Sequence, residues 1–155
     1  MKKETIIQLI SGLIAALFFY AAMSKLMGYE KSQWEMKNQI FSSSIASVLT
    51  WLIPATEIIM AIFLLFFNTR KKALWASLFL LSGFTLYIAI VMTGVFGRVP
   101  CSCGGILKNM GYGMHILFNL CFIALAIWGI ALADSTSIFN RWFHLKRKGA
   151  VKKIA

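Results

Sequence analysis

The sequence predicts an all-α integral membrane protein: a bundle of four spanning helices, both termini cytoplasmic, with a short interfacial helix in the first outer loop. Three observations carry this. The 155-residue chain is 59% hydrophobic and only 14% charged, where soluble domains carry about 25% charged residues. Mean hydropathy is +0.76, and the apolar residues gather into four blocks, each long enough for a hydrocarbon core that needs roughly 20 helical residues. The blocks are continuously apolar rather than alternating, unlike the strands of a membrane barrel.

The first block runs from Ile6 to Met27. Lys2, Lys3 and the small pair Ala21-Ala22 resemble a secretory leader, but the apolar run exceeds the about 7–15 residues of a signal core and three more blocks follow, so it reads as an anchor. Gly28-Tyr29 breaks it. Met36, Ile40 and Phe41 then recur at helical spacing among Lys37, Asn38 and Gln39, which predicts the short amphipathic helix lying in the interface. Ser42-Ser43-Ser44 lead into a second block, Ile45 to Phe67, dense from Trp51 onward. The connection from Asn68 to Lys72 suffices only for a tight helical hairpin. A third block covers Ala73 to Phe96. Gly94, Gly97, Pro100, Gly104, Gly105, Gly111 and Gly113 follow, a density of breakers that favours close turns over helix. The fourth block covers Met114 to Ala133. Residues 1–140 thus form one membrane domain and 141–155 a basic tail.

A formal net charge of +11 suggests nucleic acid until the charges are placed. Lys2, Lys3, Arg70, Lys71, Lys72, Arg141, Lys146, Arg147, Lys148, Lys152 and Lys153 all fall on one side of the alternating topology. The positive-inside rule makes that side cytoplasmic. Lys25, Lys31, Lys37, Arg98 and Lys108 fall on the other, offset by Glu30 and Glu35. The expected partner of the tail is therefore a lipid bilayer with anionic headgroups, with no nucleic acid involved. Loops 28–44 and 97–113 face outward, into the periplasm if the membrane is a bacterial inner membrane.

A charged side chain in a span costs roughly 2.5–3.5 kcal/mol at the helix centre, so Glu57 stands out. It follows Pro54, which removes a backbone donor and loosens the helix, and lies roughly 9 Å inward of Trp51 at about 1.5 Å per residue. Lys25, near the outer end of the first span, can reach it. Pairing would lower the cost of both. The alternative is a neutral Glu57 hydrogen-bonded in the bundle with Lys25 snorkelling to headgroups. His115 and Asn119 lie four apart at the start of the fourth span and so share a face. Cys121 is rotated roughly 240° from His115 at about 100° per residue and reads as a packed free thiol among Leu120, Phe122 and Ile123.

The remaining chemistry lies in Pro100-Cys101-Ser102-Cys103-Gly104-Gly105. An outward loop meets an oxidising compartment, where disulfides persist. A bridge between Cys101 and Cys103 closes a very small ring, strained against the usual Cα separation of about 4.4–6.8 Å, and strain favours an exchange-active pair. Arg98, Lys108 or a protonated His115 could supply the positive field that stabilises a thiolate. Cysteine spacing alone leaves a structural disulfide and soft-metal ligation open.

Tyr20-Ala21-Ala22-Met23-Ser24-Lys25-Leu26, Trp51-Leu52-Ile53-Pro54-Ala55-Thr56-Glu57, and Pro100-Cys101-Ser102-Cys103-Gly104-Gly105-Ile106-Leu107 with His115 and Asn119 together resemble the MauE/DoxX group of redox-associated membrane proteins. The likeness covers nearly the whole chain and departs at Tyr112, where tryptophan is expected. It implies four membrane helices and a role in maturing disulfide-rich periplasmic proteins, as in methylamine utilisation, beside a thioredoxin-like partner. The bundle is also similar to that of vitamin K epoxide reductase, which couples dithiols to quinone.

The expectation is a membrane thiol–disulfide redox protein in which Cys101 and Cys103 exchange electrons with a periplasmic thioredoxin-like protein. His115 manages protons, and Glu57 with Lys25 polarises the site or orders the helices. Lys25, Glu57, His115 and Asn119 border a site for a quinone, the one cofactor implied; Phe19 and Tyr20 are either its aromatic lining or ordinary packing and interface anchors, and no resident metal is expected. Two rivals stand beside this reading, a non-catalytic assembly subunit and a soft-metal handling protein using Cys101, Cys103 and His115.

Overall fold

The computed structural model describes residues 3–37, 42–93 and 112–151, all but a few of them helical. Five helices follow in order: α1 (Lys3–Met27), α2 (Tyr29–Lys37), α3 (Ser43–Leu65), α4 (Arg70–Met92) and α5 (Tyr112–Val151). No strand occurs among the described residues. Helices α1, α3 and α4, with the Gly113–Ser135 part of α5, are long and apolar enough to cross a membrane. At about 1.5 Å per residue they match a hydrocarbon core of about 30 Å.

The spans form a four-membered ring in chain order. α1 packs most extensively on α3 and α4 on α5, the contacts of α1 with α5 and of α3 with α4 close the ring, and the α1–α4 diagonal is slight. Each helix buries one stripe. In α1 the stripe is Ile7, Ile10, Ile14, Phe18, Ala21 and Lys25, steps of three and four that keep one face toward the bundle. In α5 it is His115, Asn119, Ala126 and Ile130. These stripes meet in a core of Ile14, Phe18, Leu64, Leu74, Leu81 and Ala126, while Leu9, Phe79 and Leu86 are exposed toward lipid. A Cβ at Gly129 would lie 3.1 Å from Ile10 Cγ2 and 3.4 Å from Leu74 Cδ1. The missing side chain lets α5 approach α1 and α4 closely, as small residues do between membrane helices.

The sequence boundaries shift for local reasons. α1 and α4 each start three residues before their apolar blocks, because helical hydrogen bonding continues into the interface where hydrocarbon ends. α3 ends at Leu65 rather than Phe67, since Phe66 is extended at φ −81°, ψ 128°. Arg70 N–H then donates to Phe66 O at 3.0 Å and Thr69 Oγ1 to Phe63 O at 2.8 Å, making the expected tight hairpin. α4 stops at Met92, with the Thr93 amide donating to Ile90 O, short of the expected Phe96. Pro54 is buried within α3, which continues through it.

Gly28-Tyr29 breaks the chain less than expected. Gly28 N–H donates to Ser24 O at 3.2 Å and Ser32 N–H to Gly28 O at 2.8 Å, so helical bonding carries through the bend and α2 starts at Tyr29. The short helix exists, but over Tyr29–Lys37; Met36 is buried in it, whereas Ile40 and Phe41 lie outside the described residues. α2 packs mainly on α3. Trp51 Nε1 donates to Tyr29 Oη at 3.1 Å, and the two rings stand 5.2 Å apart between centroids. The backbone of α5 runs on past the expected tail boundary to Val151.

Candidate functional site

At one end of the ring three spans turn polar groups inward. Lys25 continues the buried stripe of α1 one turn beyond Ala21 and Ala22. Glu57 faces it from α3, one turn after Pro54. Lys25 Nζ donates to Glu57 Oε1 at 2.6 Å, and the two side chains are only 5% and 4% exposed. This settles the choice left by the sequence: the lysine pairs inward instead of snorkelling outward. A buried pair recovers its desolvation cost only with good geometry and further hydrogen bonds. Here those bonds are incomplete, because Glu57 Oε2 is buried with no hydrogen-bond partner among the described residues.

α5 supplies the rest. His115 and Asn119 are 4% and 5% exposed, on the face that faces the bundle. His115 therefore brings a buried imidazole from α5 to the end of the bundle where α1 and α3 bury the Lys25–Glu57 pair. His115 Nε2 is a second buried atom with no partner among the described residues. Glu57 and Asn119 also border a half-open pocket of about 30 Å³, lined by Leu17, Phe18 and Ala21 of α1 and by Leu81 and Phe84 of α4.

The structure thus brings together Lys25, Glu57, His115 and Asn119, the four polar residues singled out within the spans. Cys101 and Cys103, with Arg98 and Lys108, lie outside the described residues. Of the two readings of Phe19 and Tyr20, pocket lining is not the one seen: Phe19 is 56% exposed, and Phe18, on the Ile14–Ala21 stripe, lines the pocket. One expectation needs correction. Cys121 is exposed rather than packed, because the same rotation that separates it from His115 turns it away from the bundle. Sequence reasoning missed Leu81 and Phe84, whose signal was present as continuation of the stripe Leu74, Ser77, Leu81 in α4.

The cavity volume bears on what can bind. About 30 Å³ lies far below the roughly 300–1,000 Å³ of small-molecule pockets. The pocket as it stands does not enclose a quinone ring. Among the described residues no cluster of three or more His, Cys, Asp and Glu side chains is placed to hold a metal ion.

Compared with known proteins, residues 3–132 match the family model described as Methylamine utilisation protein MauE. No curated protein and no solved structure matches the chain significantly.

Proposed function

Starting from the fact that the chain belongs to the MauE family, we propose that this multi-pass membrane protein supports maturation of proteins outside the cytoplasm by thiol–disulfide exchange at Cys101 and Cys103. The observation that carries the reading is the buried Lys25–Glu57 pair at the bundle end where His115 is also buried. His115 stands three residues into α5, close behind the cysteine-bearing segment 94–111 in the chain. Burying two charges and an imidazole together is expensive, and intramembrane ionisable groups of this kind mark functional sites by default.

The exchange balances as follows. One cysteine thiolate attacks a sulfur of a partner disulfide, expels the other partner sulfur as thiolate and forms a mixed disulfide. The second cysteine attacks that bond, closing the 101–103 disulfide and releasing the partner with two more electrons and two thiols. The reverse sequence oxidises the partner. His115 accepts the thiol proton, and Lys25 with Glu57 fixes the polar environment around it. By the sidedness of the basic residues, the exchange faces the periplasm of an inner membrane, and a thioredoxin-like protein is the partner class.

The test is to trap mixed disulfides in native membranes from Cys101→Ser and Cys103→Ser variants. The reading expects a covalent partner with one variant and none with the double serine variant. Full function of the double variant would overturn it in favour of an assembly subunit, and tightly bound copper or zinc in purified protein would favour soft-metal handling.

A further inference from the structure

We infer that the cavity beneath the ion pair is a binding site for one ordered water, which hydrogen-bonds Glu57 Oε2 to Asn119 and so ties α3 to α5 across the bundle. Three observations meet here. Glu57 spends one carboxylate oxygen on Lys25, while its other, Oε2, is buried without a partner among the described residues. An unsatisfied buried acceptor costs roughly 1–3 kcal/mol, more when charged, so a donor is required. The pocket that Glu57 borders holds about 30 Å³, above the roughly 10–15 Å³ that a single water needs. Its other polar wall is Asn119, 5% exposed, whose amide can either donate to that water or accept from it. A buried water needs at least two polar partners, and the site supplies two.

The consequence lies in the topology. α3 and α5 stand diagonally across the ring and lack the extensive packing that joins its neighbours. A chain Lys25–Glu57–water–Asn119 would cross that diagonal and hold three helices in one polar layer. It would set the register of the helix carrying His115 against the carboxylate. The apolar lining residues Phe18, Leu81 and Phe84 offer that water no further polar partner, so Glu57 and Asn119 fix its place. This inference stands whether or not the cysteines exchange electrons.

The test is infrared spectroscopy of the full chain in lipid, comparing ordinary water with water labelled with oxygen-18. The expected result is an isotope-shifted O–H stretch of an internal water, absent in Asn119→Leu and in Ala21→Val, which adds two carbons to the wall without touching a polar group. The two substitutions should both remove the band while the Lys25–Glu57 pair persists. No shifted band in the unsubstituted protein, or a band unchanged by both substitutions, would overturn the inference. If Asn119→Leu does not fold, Ala21→Val alone decides.

Discussion

Each end of the bundle holds an ion pair, and the two differ in nearly every respect that matters. Lys25–Glu57 joins α1 to α3 with both side chains about 95% buried. Lys71 pairs with Asp134 at the other end, joining α4 to α5 with side chains 49% and 43% exposed. Beside the second pair Arg70 aims Nε and Nη2 at the carbonyls of Leu64 and Leu65, at 3.4 and 3.5 Å, and stands over the Phe67 ring. That end uses its cations to finish α3 and anchor a hairpin at the membrane surface. Water and salt weaken attraction there, whereas the low dielectric around Lys25 and Glu57 makes their attraction strong and the loss of one partner severe. A charge pair therefore says little by its existence; its burial decides whether it staples a surface or builds a site.

The largest expected effect breaks that contrast if it fails. Lys25→Met alone should destabilise the protein by about 3–5 kcal/mol, since it strands a buried carboxylate, and adding Glu57→Leu should restore most of the loss. Thermal unfolding in lipid nanodiscs measures both. A Lys25→Met cost no larger than that of Lys71→Met would erase the difference between the ends. Next comes Gly129→Leu, which forces side chain into the 3.1 Å approach to Ile10 and should cost about 1–3 kcal/mol by overpacking, read by the same unfolding assay.

The contrast was only half legible beforehand. Glu57 announced itself as an acid in an apolar block, and Lys25 falls on the seven-residue repeat Ile7, Ile14, Phe18, Ala21, Lys25 that also buries α1. His115 and Asn119 were legible for the same reason, their four-residue spacing. The opposite end was not, because Lys71 and Asp134 sit at span boundaries where charges are ordinary, and only helix packing decides whether they meet. Tyr29 misled for a related reason: glycine predicts a bend, but whether hydrogen bonding survives it depends on the Ser32 amide reaching Gly28. Cys121 was misread because rotation away from His115 does not say what replaces the bundle on that side.

Smaller effects sharpen the comparison. Lys71→Met should cost at most about 1 kcal/mol, as exposed pairs do, and that cost should shrink as salt rises, which unfolding at two ionic strengths checks. Cys121→Ala, on the lipid-facing side of α5, should stay within about 0.5 kcal/mol and leave the alkylation rate of Cys101 and Cys103 unchanged.

That alkylation rate is also the most direct measure of whether the buried end acts on the cysteines. In native membranes, His115→Gln should slow modification of the reduced Cys101–Cys103 pair by about tenfold, the effect of a one-unit change in thiol acidity, while the unfolding temperature stays put. An unchanged rate with the protein intact would contradict the account, leaving the polar cluster as scaffolding unconnected to the thiols.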